Sequence, residues 1–222
     1  MERSKEYSGV PIIMPLAVTL SPADLAALLC SRICHDLISP VGAINNGIEL
    51  YDEADAQEDA IELIRMSAVN ASSKLQFARI AFGAAGSAGS EIDSGDAETV
   101  AKNYMENEKG NLDWKAPRLL LPKNEVKLLL NLVLIANLSI PRGGDIVVEI
   151  GENSGKRLFQ LKVSGKMLRV PPKFLELYNG QVPEEPIDAH SVQFYYALLL
   201  SQMSNMQIKV QVQPEIITII AG

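Results

Sequence analysis

Histidine, cysteine and tryptophan are scarce in this chain: 222 residues contain two, two and one of them. The two cysteines, Cys30 and Cys34, cannot build a disulfide framework; they could join His35 in a metal site, but a structural zinc site needs four ligands and no second Cys/His cluster accompanies them, which argues against it. They read as a pair of small apolar side chains one turn apart, and nothing requires an oxidising compartment. Positive charge is also short. Twenty Lys and Arg face 27 Asp and Glu, for a net charge of −7, and no basic run offsets it, which argues against a nucleic-acid footprint. Long apolar runs are missing too. Val10 to Leu20 is broken by Pro11 and Pro15, so neither a bilayer span nor a secretory signal is expected, and a cytoplasmic protein is. No Gly-x-Ser-x-Gly elbow, phosphate loop or internal repeat occurs.

What remains is globular: 47% apolar and 21% charged residues, enough to bury a core in one or two domains. Residues 1–20 read as a loosely ordered lead-in. Ser21 or Asp24 can cap a first helix, with Pro22 at its start, running to about Tyr51. Asp52 to Asp59 forms a polar turn. A second helix carries Ile61, Ile64, Ala68, Ala71, Leu75, Ala78 and Phe82 in alternating steps of three and four. This hairpin over 21–85 leaves apolar stripes on more than one side, because Leu63, Met66, Phe77 and Ile80 form a further set. Two hairpins closing into a dimeric four-helix bundle through Ile61, Ile64, Ala68, Leu75 and Phe82 would bury them, although packing onto the C-terminal half would bury the same residues. A Gly/Ala/Ser-rich linker covers 86–95. From 96 to 222 the pattern changes to helices at Asp96 to Asn107, Lys123 to Leu138 and His190 to Ser204. Strands are expected near Leu112 to Trp114, Ile146 to Ile150, Arg157 to Val163, Gln207 to Val212 and Glu215 to Ile220. Several antiparallel strands with helices on one face predict an α+β sandwich.

The first helix holds the candidate chemistry. Its apolar positions Ala26, Cys30, Ile33, Leu37, Pro40/Val41, Ile44, Ile48 and Tyr51 step by threes and fours, predicting one inward face. His35 lies two residues from both Ile33 and Leu37, so it points away from that stripe, among Ser31, Arg32, Ser39 and Gly42. Asp36 follows at once, Pro40 deletes a helical hydrogen bond, and Gly42 costs helix stability on the histidine side. Local costs without a packing gain mark a site. The carboxylate clusters at Asp52, Glu53 and Asp55, at Asp93 and Asp96, and at Glu184 and Glu185 read as solvated surface, and His190 receives no catalytic role.

The order His35-Asp36-Leu37-Ile38-Ser39-Pro40 resembles the phosphoacceptor box of sensor histidine kinases. The longer stretch from Leu29 through Asn46-Gly47-Ile48-Glu49-Leu50 is similar to the alphaproteobacterial histidine phosphotransferases, and the resemblance runs from about Ser21 onward. By that resemblance residues 96–222 look like a kinase ATP-binding domain. Its metal-supporting pair of asparagines is reduced to Asn131, with Ile135 at the second position. Val163-Ser164-Gly165-Lys166-Met167 lacks the acid and second glycine of the nucleotide box, and 171–189 offers only Gly180 where a glycine-rich phosphate lid belongs. The resemblance therefore implies a phosphoryl carrier that binds no ATP or metal itself. It would accept phosphate at His35 from the receiver domain of a hybrid kinase, which brings Mg2+, and pass it to response regulators in a multistep phosphorelay of cell-cycle control. Asp36 would support the imidazole, and Arg32, Ser39 and Gly42 would meet the receiver. The alternative is a noncatalytic dimeric scaffold that binds receivers without carrying phosphate.

Overall fold

In the computed structural model, residues 5–7, 16, 18–83, 91–153 and 155–222 are described. Two long helices lead: α1 (Pro22–Tyr51) and α2 (Gln57–Ala81). The Ser21 hydroxyl caps α1 by accepting from the Asp24 amide at 3.1 Å, with Pro22 in the first turn where its missing N–H costs nothing. Asp55, in the left-handed region at φ 64°, helps reverse the chain between the helices. Gly47 makes the close crossing. A Cβ there would sit 2.7 Å from Ile64 Cγ1 and 3.2 Å from the Ala60 carbonyl oxygen, so the helices touch through bare backbone.

The remaining chain builds a mixed sheet covered by helices. Around it lie β1 (Lys5–Tyr7), β2 (Glu91–Asp93), α3 (Ser94–Met105), β3 (Gly110–Lys115), β4 (Leu120–Pro122), α4 (Lys123–Leu138), β5 (Gly144–Asn153) and β6 (Lys156–Gly165). They are followed by α5 (Pro172–Tyr178), α6 (Val192–Met203), β7 (Ile208–Val212) and β8 (Ile217–Ala221). Strand order is β1-β7-β8-β6-β5-β3, with β2 and β4 forming a separate two-stranded sheet. The expected antiparallel arrangement holds for most pairs, but β3 runs parallel to β5, with Trp114 opposite Val148. Parallel pairing needs a crossover, and α4 provides it. Within the stretch read as a lead-in, Lys5–Tyr7 pairs with β7 at the sheet edge. Within the stretch read as a linker, Glu91–Asp93 forms β2, Ser94 begins α3, and the rest lies outside the described residues.

One core joins the two parts. Phe77, Ile80 and Ala81 from the end of α2 are buried with α3, α4 and the sheet, and the Phe77 ring lies 4.6 Å from that of Tyr104. The apolar set containing Phe77 and Ile80 is thus partly consumed inside the chain, whereas Met66 stays 61% exposed. The α1 stripe is met in part, with Ile33, Leu37, Pro40 and Ile44 of the expected face turned inward. Leu25, Leu29 and Gly47 join them, while Ala26, Cys30, Val41, Ile48 and Tyr51 are exposed. Gly47 adds a close helix crossing that no apolar pattern registers. Cys34 is exposed like Cys30, so the two thiols are not the buried apolar pair expected. Among the described residues, α1 also passes as long and apolar enough to cross a membrane, contrary to the reading that no stretch is. The Arg32–Asp36 ion pair at mid-helix would be costly there.

Candidate functional site

The imidazole of His35 stands on the outer flank of α1, its side chain 56% exposed. Its Nδ1 lies 3.6 Å from Asp36 Oδ1, too long for a hydrogen bond but close enough for the carboxylate to face that side of the ring. The carboxylate is held in turn by Arg32, whose Nε donates to Asp36 Oδ2 at 2.8 Å. Arg32 is 12% exposed at its side chain, and its stem packs along the helix while its head bridges outward. Ser39 is exposed one turn beyond. A Cβ built on Gly42 would meet nothing within 4 Å, so no neighbour in the chain demands glycine there.

The second wall of the site comes from the C-terminal domain. Arg32, His35 and Asp36 share an open cleft of about 770 Å³ with Arg142, Arg169, Lys173, His190 and Phe194. Each is placed by local structure. Arg142 precedes Gly143, whose φ of +82° turns the chain from α4 into β5; a side chain there would strike the Lys109 carbonyl oxygen at 2.7 Å. Arg169 follows β6, its amide donating to the Ser139 carbonyl. Lys173 lies in the first turn of α5, paired with Glu185 at 2.8 Å, and that hydrogen bond raises its already high pKa. Arg142 and Arg169 have no carboxylate partner among the described residues. A chain with an acidic balance therefore concentrates cations around its exposed histidine.

His190, given no role from sequence, sits against the nucleophile candidate. Its ring centroid is 4.5 Å from that of His35 at an interplanar angle of 80°. Sequence reasoning also missed Arg142, Arg169 and Lys173 as site residues. Lys173 lies within 171–189, whereas Arg142 and Arg169 fall in turns that carry no local signal.

Asn131 and Ile135 both lie in the core. Asn131 is 1% exposed, and its Nδ2 donates to the Lys127 carbonyl at 2.8 Å and to the Ala81 carbonyl at 3.2 Å, fastening α2 to α4. Ile135 is fully buried, and α5 fills part of 171–189. Of the residues assigned to a bundle, Ile61 and Leu75 are 37% and 54% exposed and Ala68 is exposed beside them. Ile64 is half-buried against Gly47. The Phe82 ring is half-buried, 6.2 Å from Tyr196 of the same chain.

A histidine presented on a helical hairpin and flanked by an α+β domain is the arrangement of a histidine-based phosphotransfer protein, and comparison with known proteins gives the family. Residues 94–216 match the histidine phosphotransferase C-terminal domain. Protein phosphotransferase ChpT of Brucella abortus (strain 2308) is 61% identical over 202 residues, covering 91% of this chain and 97% of that protein. A bacterial phosphotransferase structure solved at 1.7 Å superposes with a TM-score of 0.89 at 58% identity, covering 94% of this chain and all of the other. The chain belongs to the histidine phosphotransferase family.

Proposed function

We propose that this protein is a dimeric phosphoryl carrier that takes phosphate onto His35 from the aspartyl phosphate of a receiver domain and returns it to the receivers of response regulators. The observation that carries this reading is the exposed His35 imidazole, backed by Asp36 and facing a cleft of four cations. Attack by the Nε2 lone pair of a neutral imidazole forms an N–P bond. The P–O bond to the aspartate breaks, and its electron pair leaves with the receiver's carboxylate. Little else is asked of the protein, because phosphoryl transfer depends on in-line placement and neutralisation of phosphate charge. The Asp36 carboxylate beside Nδ1 fits this role, since the ring becomes cationic as the bond forms. Arg32, Arg142, Arg169 and Lys173 suit the acidic pocket that a receiver presents, and the receiver supplies Mg2+. Ser39 and the open surface at Gly42 extend the same flank.

The family resemblance to a kinase would add ATP and Mg2+ to this chain, but the residues do not fit them. Asn131 is turned into the core, Ile135 offers no oxygen to a hard cation, and 163–167 carries no acid to read adenine. We therefore assign it no autokinase activity. Exposed Ile38, Val41 and Ile48 on α1, with Ile61 and Leu75 on α2, support closure of two hairpins into a bundle.

The test is incubation of the full chain with a phosphorylated receiver domain, followed by detection of acid-labile phosphate. Wild type should be labelled at His35, and His35→Ala should remain unlabelled with an unchanged circular dichroism spectrum. Label on another residue overturns the carrier reading, and an unlabelled wild type that still binds receivers would make the protein a scaffold.

A further inference from the structure

We propose that His190 is a positioning residue for His35, supplied by the C-terminal domain to fix the nucleophilic ring in its productive orientation. The inference rests on His35 being the phosphoryl acceptor. An imidazole on an exposed helix flank has no packing to select one rotamer, yet transfer needs Nε2 aligned with the phosphorus. His190 meets the face-to-edge requirement of an aromatic pair at 4.5 Å and 80°. With Asp36 beside Nδ1 and His190 against the ring, rotation of His35 is restrained from two directions.

The restraint has substance because the backbone turn that carries His190 is held. Asp188 Oδ1 accepts from the His190 amide at 3.1 Å, from the Ser191 amide at 2.8 Å and from the Ser191 hydroxyl at 2.5 Å. The Ser191 hydroxyl, foremost among these, keeps the Asp188 carboxyl below the usual carboxylate range. Lys173 Nζ lies 3.9 Å from the same carboxylate. From the other side, Arg32 Nη1 reaches the His190 carbonyl at 3.5 Å, so the residue that steadies Asp36 also touches the loop. The hairpin and the C-terminal domain are therefore tied together at the nucleophile. In the transfer step His190 forms no bond and carries no proton; the N–P bond forms at His35 and the leaving carboxylate takes the P–O electron pair. Its removal should therefore lower the rate of transfer and leave receiver affinity alone.

The experiment uses full-length His190→Ala and His190→Phe with the phosphorylated receiver domain that labels wild type. Single-turnover rates are followed as a function of receiver concentration. We expect His190→Ala to lower the maximal rate about tenfold while the half-saturating concentration stays within about twofold. His190→Phe, which keeps a ring edge against His35, should recover most of that loss. The 15N ring resonances of His35 should move in His190→Ala and return towards wild type in His190→Phe, a signature that loss of fold stability alone does not give. If His190→Ala proves unfolded, comparison of wild type with His190→Phe carries the test, and a loss of about tenfold there overturns the ring-contact argument. A His190→Ala rate within about twofold of wild type overturns the proposal, as does a faster rate, which would make the contact an obstruction. A change confined to half-saturation overturns it in favour of receiver docking. Wild type that takes no label overturns the carrier reading and this inference with it, whereas equal rates of labelling of wild type and His190→Ala remove this inference alone.

Discussion

Leu75→Glu tests assembly without disturbing the fold of one chain. Leu75 is 54% exposed, so a charged side chain there meets water in the monomer. It shares one side of α2 with Ile61 and Ala68, at heptad spacing, and that side faces away from both α1 and the C-terminal core. Complete burial of a leucine is worth about 1.5–3 kcal/mol, and roughly half of its surface remains to be covered, giving about 1 kcal/mol from each chain. A carboxylate forced into the same seam without a partner costs several kcal/mol more, and a twofold axis brings two of them together. The combined loss is on the order of 6 kcal/mol, or about 10⁴-fold in the dimer dissociation constant. Sedimentation equilibrium at micromolar concentration should find wild type as a dimer and Leu75→Glu as a monomer, with matching circular dichroism spectra. A wild-type monomer across that range refutes the bundle, and an intact Leu75→Glu dimer places the seam elsewhere.

Calorimetry at millimolar ATP, with and without magnesium, should show no binding, because the adenine and phosphate groups would leave water without gaining partners. Measurable magnesium-dependent binding returns the protein to the kinases. Lys127 provides a pH test of the α4–α6 packing. Burial lowers its pKa while its Nζ lies 3.3 Å from the Tyr196 hydroxyl. Between that lowered value and the ordinary lysine value the unfolded chain holds the extra proton, so stability should rise as pH increases through this interval. Chemical denaturation from pH 7 to 10 should show the rise in wild type and lose it in Lys127→Met; parallel curves would show that Lys127 is not desolvated.

The long helices were legible because their signals are local. Ser21 and Pro22 mark a start, the three-four periodicity marks each body, and α4 falls at Lys123–Leu138 as its apolar run and following Pro141 predict. Short elements were not. β1, β2 and β4 each span three residues, too few for alternation to register, and α5 lies in a proline-rich stretch that reads as loop. The parallel β3–β5 pair was hidden for another reason: a strand's sequence records its own burial but not the direction of its neighbour. Hydrophobic pattern placed Ile33, Leu37, Pro40 and Ile44 inward but not Leu25, Leu29 or Gly47, and Gly47 makes its close contact by having no side chain.

The nucleophile and its surroundings differ in the same way. His35 and Asp36 are adjacent in sequence, and Arg32 is one helical turn away, so periodicity alone sets their geometry. The rest of the cleft comes from segments that approach α1 only after Phe77, Ile80 and Ala81 fix the hairpin to the C-terminal core. His190 and Arg169 look like ordinary surface residues until that packing is known. The 171–189 interval illustrates the consequence: read as a kinase lid it has lost its glycines, but in space Pro171, Pro172, Lys173 and His190 form or adjoin the wall opposite His35. Of the four cleft cations only Lys173 lies in that interval; Arg142 and Arg169 come from the turns before β5 and after β6, so the wall opposite His35 is assembled from separate segments that no local pattern links.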